Sequence, residues 1–208
     1  MKVLALEPWY GGSHRNFLDG LKKHSQHDVH AVTMSARFWK WRMHGGAVTM
    51  ARKVNDWVAE GNKPDVILAS DMVNVPAFLA LCRPSLSDVP VILYLHENQL
   101  TYPLKEGRER DYTYAYINYL SCLAADAIVF NSKFHHDEFL DALPVMLRAF
   151  PDYNHLHSVE GPGIVAQQGQ RLGPDPADGL AELLAKSFEE KRRQPLDISL
   201  ALAQGRHF

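Results

Sequence analysis

The sequence predicts an α/β fold with a doubly wound parallel sheet, that is, a parallel sheet with helices on both faces. Short apolar segments typical of buried parallel strands alternate with longer segments of helical periodicity. The alternation continues through five strand–helix units without an internal repeat. The 208 residues are enough for one domain, or for one domain with an appendage.

The five predicted strands are short, and turn-forming residues precede several of them. The second strand alternates apolar and polar positions, whereas the others are nearly continuous apolar runs. Pro64 leads into the third strand and Pro90 into the fourth. The predicted strands are Val3–Leu6, Asp28–Met34, Val66–Ser70, Val91–Leu95 and Ala127–Phe130.

The predicted helices follow the strands one by one. We expect Ser13 to cap the first helix, and Pro144 to bend the fifth. The first predicted helix lies near His14–Ser25, and the others are Gly45–Glu60, Val75–Cys82, Asp111–Ala125 and Lys133–Phe150.

The regular alternation ends near Pro151, so we predict a Rossmann-like domain over residues 1–155 and a linker and tail over residues 156–208. Glu160–Asp178 is rich in Gly and Pro and contains no strand of convincing length, which favours a linker. Leu180–Arg193 has an amphipathic pattern and predicts one helix in an otherwise irregular tail.

Composition narrows the functional classes. A net charge of −2 gives no general attraction to nucleic acid, so any such binding needs a local patch. Cys82 and Cys122 match no metal or redox spacing, and we expect both to be reduced and buried in helices. Neither a membrane span nor a signal peptide is apparent, which predicts a cytoplasmic protein without membrane contact.

Four polar clusters follow predicted strands, and the carboxyl ends of parallel strands share one edge, where ligands bind. The first holds the Gly11-Gly12 turn, whose backbone N–H groups could approach a phosphate or a sugar hydroxyl. The alternative is a tight turn without a ligand, and Asn131-Ser132 is interpreted as only a helix cap. The clusters are Glu7 to His14, Ser70-Asp71 with Asn74, His96-Glu97-Asn98-Gln99, and Asn131-Ser132.

His96-Glu97-Asn98 is the strongest local candidate for chemistry. An imidazole beside a carboxylate and an amide could orient sugar hydroxyls or transfer a proton. The alternative is a hydrogen-bonded core histidine next to a solvated glutamate. A metal ion is not predicted, because the adjacent His135 and His136 point about 100° apart on a helix.

The segment Arg37–His44 alternates cations with aromatic residues in what the sequence predicts to be a loop. Such a surface can stack unpaired bases and hold phosphates. The alternative is packing against its own domain through cation–π contacts.

Four blocks of residues 1–155 together resemble the tRNA-queuosine mannosyltransferase family, also described as glycosyltransferase-like domain-containing proteins. The resemblance implies a retaining glycosyltransferase of the two-Rossmann-domain GT-B type. Its members are taken to transfer mannose from GDP-mannose to the cyclopentenediol of queuosine in the anticodon loop of an aspartate tRNA. The blocks are EPWYGGSH (7–14), RFWKWRMHG (37–45), HENQLTYP (96–103) and VFNSKF (129–134).

The resemblance also implies roles for individual residues, with a nucleotide sugar and tRNA as partners and no cofactor or metal. His96 and Glu97 would be catalytic. Substrate-binding residues would be Gly11, Gly12, Ser13, His14, Asn98, Gln99, Asn131 and Ser132. The residues that contact tRNA would be Arg37, Trp39, Lys40, Trp41 and Arg42.

In this family a C-terminal domain carries most of the donor site, and residues 161–208 do not resemble it as a whole. We therefore expect little transfer by this chain alone. The alternative functions are a non-catalytic module that binds tRNA or a nucleotide sugar and, third, an unrelated flavodoxin-like nucleotide binder. The sequence leaves the oligomeric state open.

Overall fold

The computed structural model describes residues 1–83, 85–151 and 164–165, and it confirms the predicted α/β class. Strands and helices alternate along the chain. They are β1 (Lys2–Tyr10), α1 (Gly12–His24), β2 (Asp28–Ser35), α2 (Trp39–Ala59), β3 (Val66–Ser70), α3 (Val75–Leu81), β4 (Val91–Leu95), α4 (Tyr112–Ala124), β5 (Ala127–Phe130), α5 (Lys133–Leu147) and β6 (Ile164–Val165).

The six strands form one sheet in the order β2-β1-β3-β4-β5-β6, and every neighbouring pair is parallel. The chain moves outward from β1 to β2, then crosses back to place β3 on the other side of β1. The border between β1 and β3 is therefore the topological switch point, where α/β sheets bind ligands beyond the carboxyl ends of their strands.

Alternate residues of each strand supply the two halves of the core. One face of the sheet packs with α2, α3, α4 and α5 and includes Leu4, Leu6 and Ile67. The other face packs with α1 and includes Val3, Ala5 and Val66. Helices thus cover both faces, as a doubly wound sheet requires. None of the helices among the described residues has the length and apolarity that crossing a membrane requires.

The structure corrects two predictions about the elements. The first helix begins at Gly12, Gly11 is its N-terminal cap residue, and Ser13 lies exposed inside the first turn. The predicted loop 37–44 is mostly helical, because α2 begins at Trp39. The segment predicted to contain no strand of convincing length contributes only the two-residue β6 among its described residues, and β6 pairs with β5.

Cys82 and Cys122 are free and buried, as predicted; Cys82 directly follows α3 and Cys122 lies in α4. Pro144 lies inside the last turns of α5. Apart from β6, the predicted linker and the predicted helix Leu180–Arg193 lie outside the described residues.

Candidate functional site

The turn between β1 and α1 needs both of its glycines. A Cβ on Gly11 would lie 2.5 Å from the Cβ of Ala36, closer than real side chains approach one another. Gly12 has φ +53°, a left-handed conformation that favours glycine. The helix therefore starts immediately at the end of the strand and carries His14, in its first turn, back over the edge of the sheet.

Glu7 and His14 form a buried pair at this edge. The Nδ1 of His14 lies 3.0 Å from Oε2 of Glu7, and both side chains are 5% exposed. Oε1 of Glu7 accepts a hydrogen bond from the Trp9 N–H at 2.8 Å, which fixes the carboxylate. Burial by itself lowers the pKa of His14, but interactions with the neighbouring carboxyl groups, led by the hydrogen bond to Glu7, outweigh it, so the pKa is raised.

His96, from the loop after β4, lies directly against this pair. Its ring centroid is 4.0 Å from that of His14, with 32° between the planes. Phe17 and Tyr94 pack edge-on against the same ring. Burial, with smaller effects of His14 and His135, lowers the pKa of His96 to about 3, so its imidazole is neutral at physiological pH.

Asp71 is completely buried and holds the backbone of His96 through a hydrogen bond. Its Oδ1 accepts the backbone N–H of His96 at 3.0 Å, and its Oδ2 has no partner among the described residues. Burial raises the pKa of Asp71 to about 8, which means that a neutral carboxylic acid occupies this position at neutral pH.

Asn118 of α4 links Asp71 to the loop after β4, a role that no local sequence motif indicated. Its Nδ2 donates to the Asp71 carbonyl at 2.8 Å, and its Oδ1 accepts from the Gln99 N–H at 2.9 Å. In the sequence, the only sign of these two hydrogen bonds is that Asn118 is a polar residue within a largely apolar helix.

The rest of the loop divides into turn formers and accessible groups. Asn98 is buried, and its Oδ1 accepts from the N–H groups of Leu100 and Thr101, which shapes the turn. Glu97 is half-buried, and its Oε1 accepts from Nε2 of Gln99 at 3.3 Å. Burial raises the pKa of Glu97.

Arg110 anchors this loop from its C-terminal side. Its Nη1 donates to the Gln99 carbonyl at 2.8 Å and its Nη2 to the Tyr102 carbonyl at 3.0 Å. One guanidinium thus holds both ends of the segment that follows His96.

The end of β5 completes the edge. The Nδ2 of Asn131 donates to the carbonyl of His96 at 3.3 Å, and its side-chain oxygen accepts from the Tyr94 hydroxyl at 3.4 Å. Ser132 caps α5 by accepting from the His135 N–H, as predicted. Asn131 thereby connects β5 to the histidine loop.

The segment of cations and aromatics forms the start of α2. Phe38, in a left-handed conformation, precedes the helix and is 72% exposed, and Trp41 is 75% exposed. Trp39 is partly buried against Tyr114, and the Nζ of Lys40 lies 5.1 Å from the Tyr114 ring. The structure therefore divides the predicted tRNA-contacting residues into an exposed set, Arg37, Lys40 and Trp41, and a set that packs inward, Trp39 and Arg42, of which Arg42 donates to Ser35 Oγ.

Glu7, His14 and His96 are the group of described residues that could hold a metal ion, with ligand atoms all within 4.8 Å of one another. Zinc sits about 2.0–2.1 Å from each histidine nitrogen, in the plane of the ring. The two imidazole planes are inclined by 32° with their centroids 4.0 Å apart, and Nδ1 of His14 already lies at hydrogen-bond distance from Glu7. A metal ion held by Nδ1 of His14 and the Glu7 carboxylate would replace that hydrogen bond.

A cavity of about 440 Å³ lies elsewhere, around the amino ends of β4 and β5. Leu79, Arg83, Val91 and Asp126 are among its lining residues, and none of the predicted site residues lines it. That the residues of the carboxyl edge line a ligand pocket stays a prediction.

Comparisons with known proteins identify the family. The family model described as tRNA-queuosine alpha-mannosyltransferase N-terminal matches residues 2–163. A tRNA-queuosine alpha-mannosyltransferase of Drosophila melanogaster is 35% identical over 156 residues, which are 74% of this chain and 40% of that protein. The chain therefore spans less than half of the length of this relative. The matched range contains every site residue described above. The chain therefore belongs to the tRNA-queuosine alpha-mannosyltransferase family and corresponds to the N-terminal part of its members.

Proposed function

We propose that this chain provides the acceptor side of a mannosyltransferase that moves mannose from GDP-mannose to queuosine in an aspartate tRNA. The observation that carries the proposal is the meeting of Glu7, His14, Asp71 and His96 at the switch point of the sheet, in a chain of this family. Ligands of parallel α/β sheets bind at this point.

The residues have distinct roles in this proposal. The Gly11-Gly12 turn presents backbone N–H groups toward the diphosphate of the donor. His96 and Glu97 contact the transferred sugar or the acceptor hydroxyl, with His96 neutral and therefore able both to donate and to accept. No metal ion takes part, because helix termini and basic side chains would neutralise the leaving diphosphate.

Substrate tRNA would meet the start of α2. Arg37 and Lys40 supply charge for phosphates, and the exposed ring of Trp41 supplies a stacking surface for an unpaired base. This surface and the histidine cluster are joined through Tyr114, which packs with Trp39 and with the buried Met72 next to Asp71.

The proposal includes the GT-B architecture, with a second domain that binds the donor. It also includes GDP-mannose as the donor and a cytoplasmic location.

The second candidate function is a non-catalytic module that binds tRNA or a nucleotide sugar at the same site. It is favoured by the match, which is to the N-terminal part of the family and covers 40% of the curated relative.

Radiolabelled GDP-mannose incubated with the 208-residue chain and queuosine-containing tRNA distinguishes the two functions. We expect tRNA binding with little or no transfer, because the chain matches the N-terminal model of the family and, in the proposed architecture, a second domain carries most of the donor site. Transfer on the order of one per second, an ordinary enzymatic rate, would assign catalysis to this chain alone. Failure to bind the tRNA at all would refute the acceptor-side proposal.

A further inference from the structure

Asn118 and Ser121 are completely buried polar side chains of α4, and both bind backbone groups of the segment after β3. Ser121 Oγ donates to the Val73 carbonyl at 3.0 Å and accepts the Val75 N–H at 3.2 Å. Asn118 Nδ2 donates to the Asp71 carbonyl at 2.8 Å. Such partners are needed, because an unpaired buried polar group retains its full desolvation cost. Both residues therefore fasten α4 to the connection between β3 and α3.

Asn118 also reaches the loop after β4. Its Oδ1 accepts the Gln99 N–H at 2.9 Å, and the side chain of Gln99 in turn donates from Nε2 to Glu97 at 3.3 Å. The Asp71 that Asn118 holds accepts the backbone N–H of His96 through its own carboxyl group. One buried amide thus holds this loop at its start, through Asp71, and further along, through Gln99.

Tyr114, one turn before Asn118, connects α4 to the proposed tRNA surface at the start of α2. Its ring centroid lies 4.9 Å from that of Trp39 and 5.0 Å from that of His44, and the Nζ of Lys40 lies 5.1 Å from it. Residues four apart lie on the same side of a helix, about 6 Å apart along its axis. A single helical turn therefore sets the spacing between the proposed tRNA surface and the loop with His96.

We propose that Asn118 is a positioning residue for queuosine recognition, which holds the loop His96–Gln99 in place relative to the tRNA surface. The inference rests on the proposed function, because it needs queuosine-containing tRNA as the acceptor. Asn118 is completely buried, so it acts through Gln99 and Asp71 and does not touch the substrate. Its loss should therefore reduce the discrimination between queuosine and guanosine, and not the general attraction to tRNA that exposed cations supply.

Affinities of the 208-residue chain for aspartate tRNA with queuosine and with unmodified guanosine test this role. Asn118→Ala should weaken binding of the queuosine form about threefold to tenfold, the net value of one hydrogen bond, and leave binding of the guanosine form nearly unchanged. Ser121→Ala is the matched control, because it also removes two buried hydrogen bonds between α4 and backbone groups. It should retain the preference for queuosine. Thermal unfolding establishes that both variants are folded at the temperature of the assay.

Hydrogen exchange of the Gln99 amide tests the role in the parent chain, so the test remains valid should Asn118→Ala unfold. This amide donates to Asn118, and its exchange rate reports how firmly the loop is held. We expect slower exchange with the queuosine tRNA bound than with the guanosine tRNA bound. A merely structural hydrogen bond would give the same rate with both.

Equal weakening of both tRNAs by Asn118→Ala, an equal loss of preference in Ser121→Ala, or equal exchange of the Gln99 amide with both tRNAs would overturn the positioning role. If the parent prefers the queuosine form and Asn118→Ala keeps that preference, the positioning role is wrong and the proposed function stands. If the parent binds neither tRNA, the proposed function fails and the positioning role fails with it.

Discussion

The carboxyl group of Asp71 accepts the backbone N–H of His96 at 3.0 Å and thereby joins the end of β3 to the loop after β4. The second oxygen of that carboxyl group is buried without a partner among the described residues. A charged carboxylate there would leave one oxygen desolvated, whereas the neutral acid tolerates this position better. The loop with His96 therefore rests on a group whose protonation depends on pH.

The first prediction is that replacing Asp71 by Asn removes a pH dependence of stability. The pKa of Asp71 is raised from 3.8 to about 8 in the folded chain, so between these values only the folded state holds the proton. The free energy of unfolding should therefore decrease as pH rises from about 4 to about 8, by up to about 1.4 kcal/mol per pH unit.

Urea unfolding of the parent and of Asp71→Asn at pH 5 and pH 9 measures this difference. Asp71→Asn should lose less stability than the parent over that range, because its amide does not titrate. Asp56→Asn, on the exposed surface of α2, is the matched control and should follow the parent. Parallel losses in parent and Asp71→Asn would contradict a neutral Asp71.

The second prediction concerns the turn after β1. Gly11→Ala places a Cβ 2.5 Å from that of Ala36, so strand and helix must shift at a cost of about 1–3 kcal/mol. Calorimetry should show a decrease in Tm of about 2–4 °C per kcal/mol. Gly20→Ala in α1 meets nothing within 4 Å and should stabilise the chain by about 0.5–1 kcal/mol. Equal effects of both variants would rule out the close approach.

The third prediction concerns Arg110, whose guanidinium holds the carbonyls of Gln99 and Tyr102. Arg110→Ala should cost about 1–3 kcal/mol of local stability, since hydrogen bonds from charged groups exceed neutral ones. Hydrogen exchange should accelerate over residues 97–104 and remain unchanged in β1. Arg108→Ala, at an exposed position, should leave exchange in this loop unaffected. Slow exchange in Arg110→Ala would show that Asn118 alone fixes the loop.

The fourth prediction separates the exposed surface of α2 from its packed residues. Replacing Arg37, Lys40 and Trp41 by Ala should weaken tRNA binding and flatten its salt dependence, by about 0.7–0.9 in log–log slope for each lost phosphate contact. The melting temperature should change little, because exposed charges contribute little to stability. Lys22→Ala with Lys23→Ala, at the end of α1, removes similar charge far from the site. Equal weakening by both sets would indicate binding by general charge alone.

The sheet was predictable because its strands are buried on both faces, and such strands are continuous apolar runs with sharp ends. The bounds of β3, β4 and β5 agree with the prediction residue for residue. The start of α2 was predicted too late, because Arg37–His44 looked like a polar loop. The buried side of the helix nevertheless extends from Met50 through Ala47 and Met43 back to the partly buried Trp39.

The side chains of the site were predictable only as neighbours on one edge. Strand order and the shared edge bring Glu7, His14 and His96 together, but no spacing in the sequence encodes the close approach of the two rings. Asn118 and Arg110 were missed because they act across long loops on backbone groups, for which a sequence has no periodic signal. Ser13 was a reasonable cap, and it was displaced because the two glycines allow the helix to start earlier.

The most direct test of the central claim is the affinity of the 208-residue chain for aspartate tRNA with queuosine and for the same tRNA with unmodified guanosine. The account predicts tighter binding of the queuosine form, by about tenfold, because the histidine edge contacts its diol. His96→Gln should abolish that preference while retaining the salt-dependent binding to both tRNAs. Equal affinity of the parent chain for the two tRNAs would contradict the assignment of this edge to the acceptor.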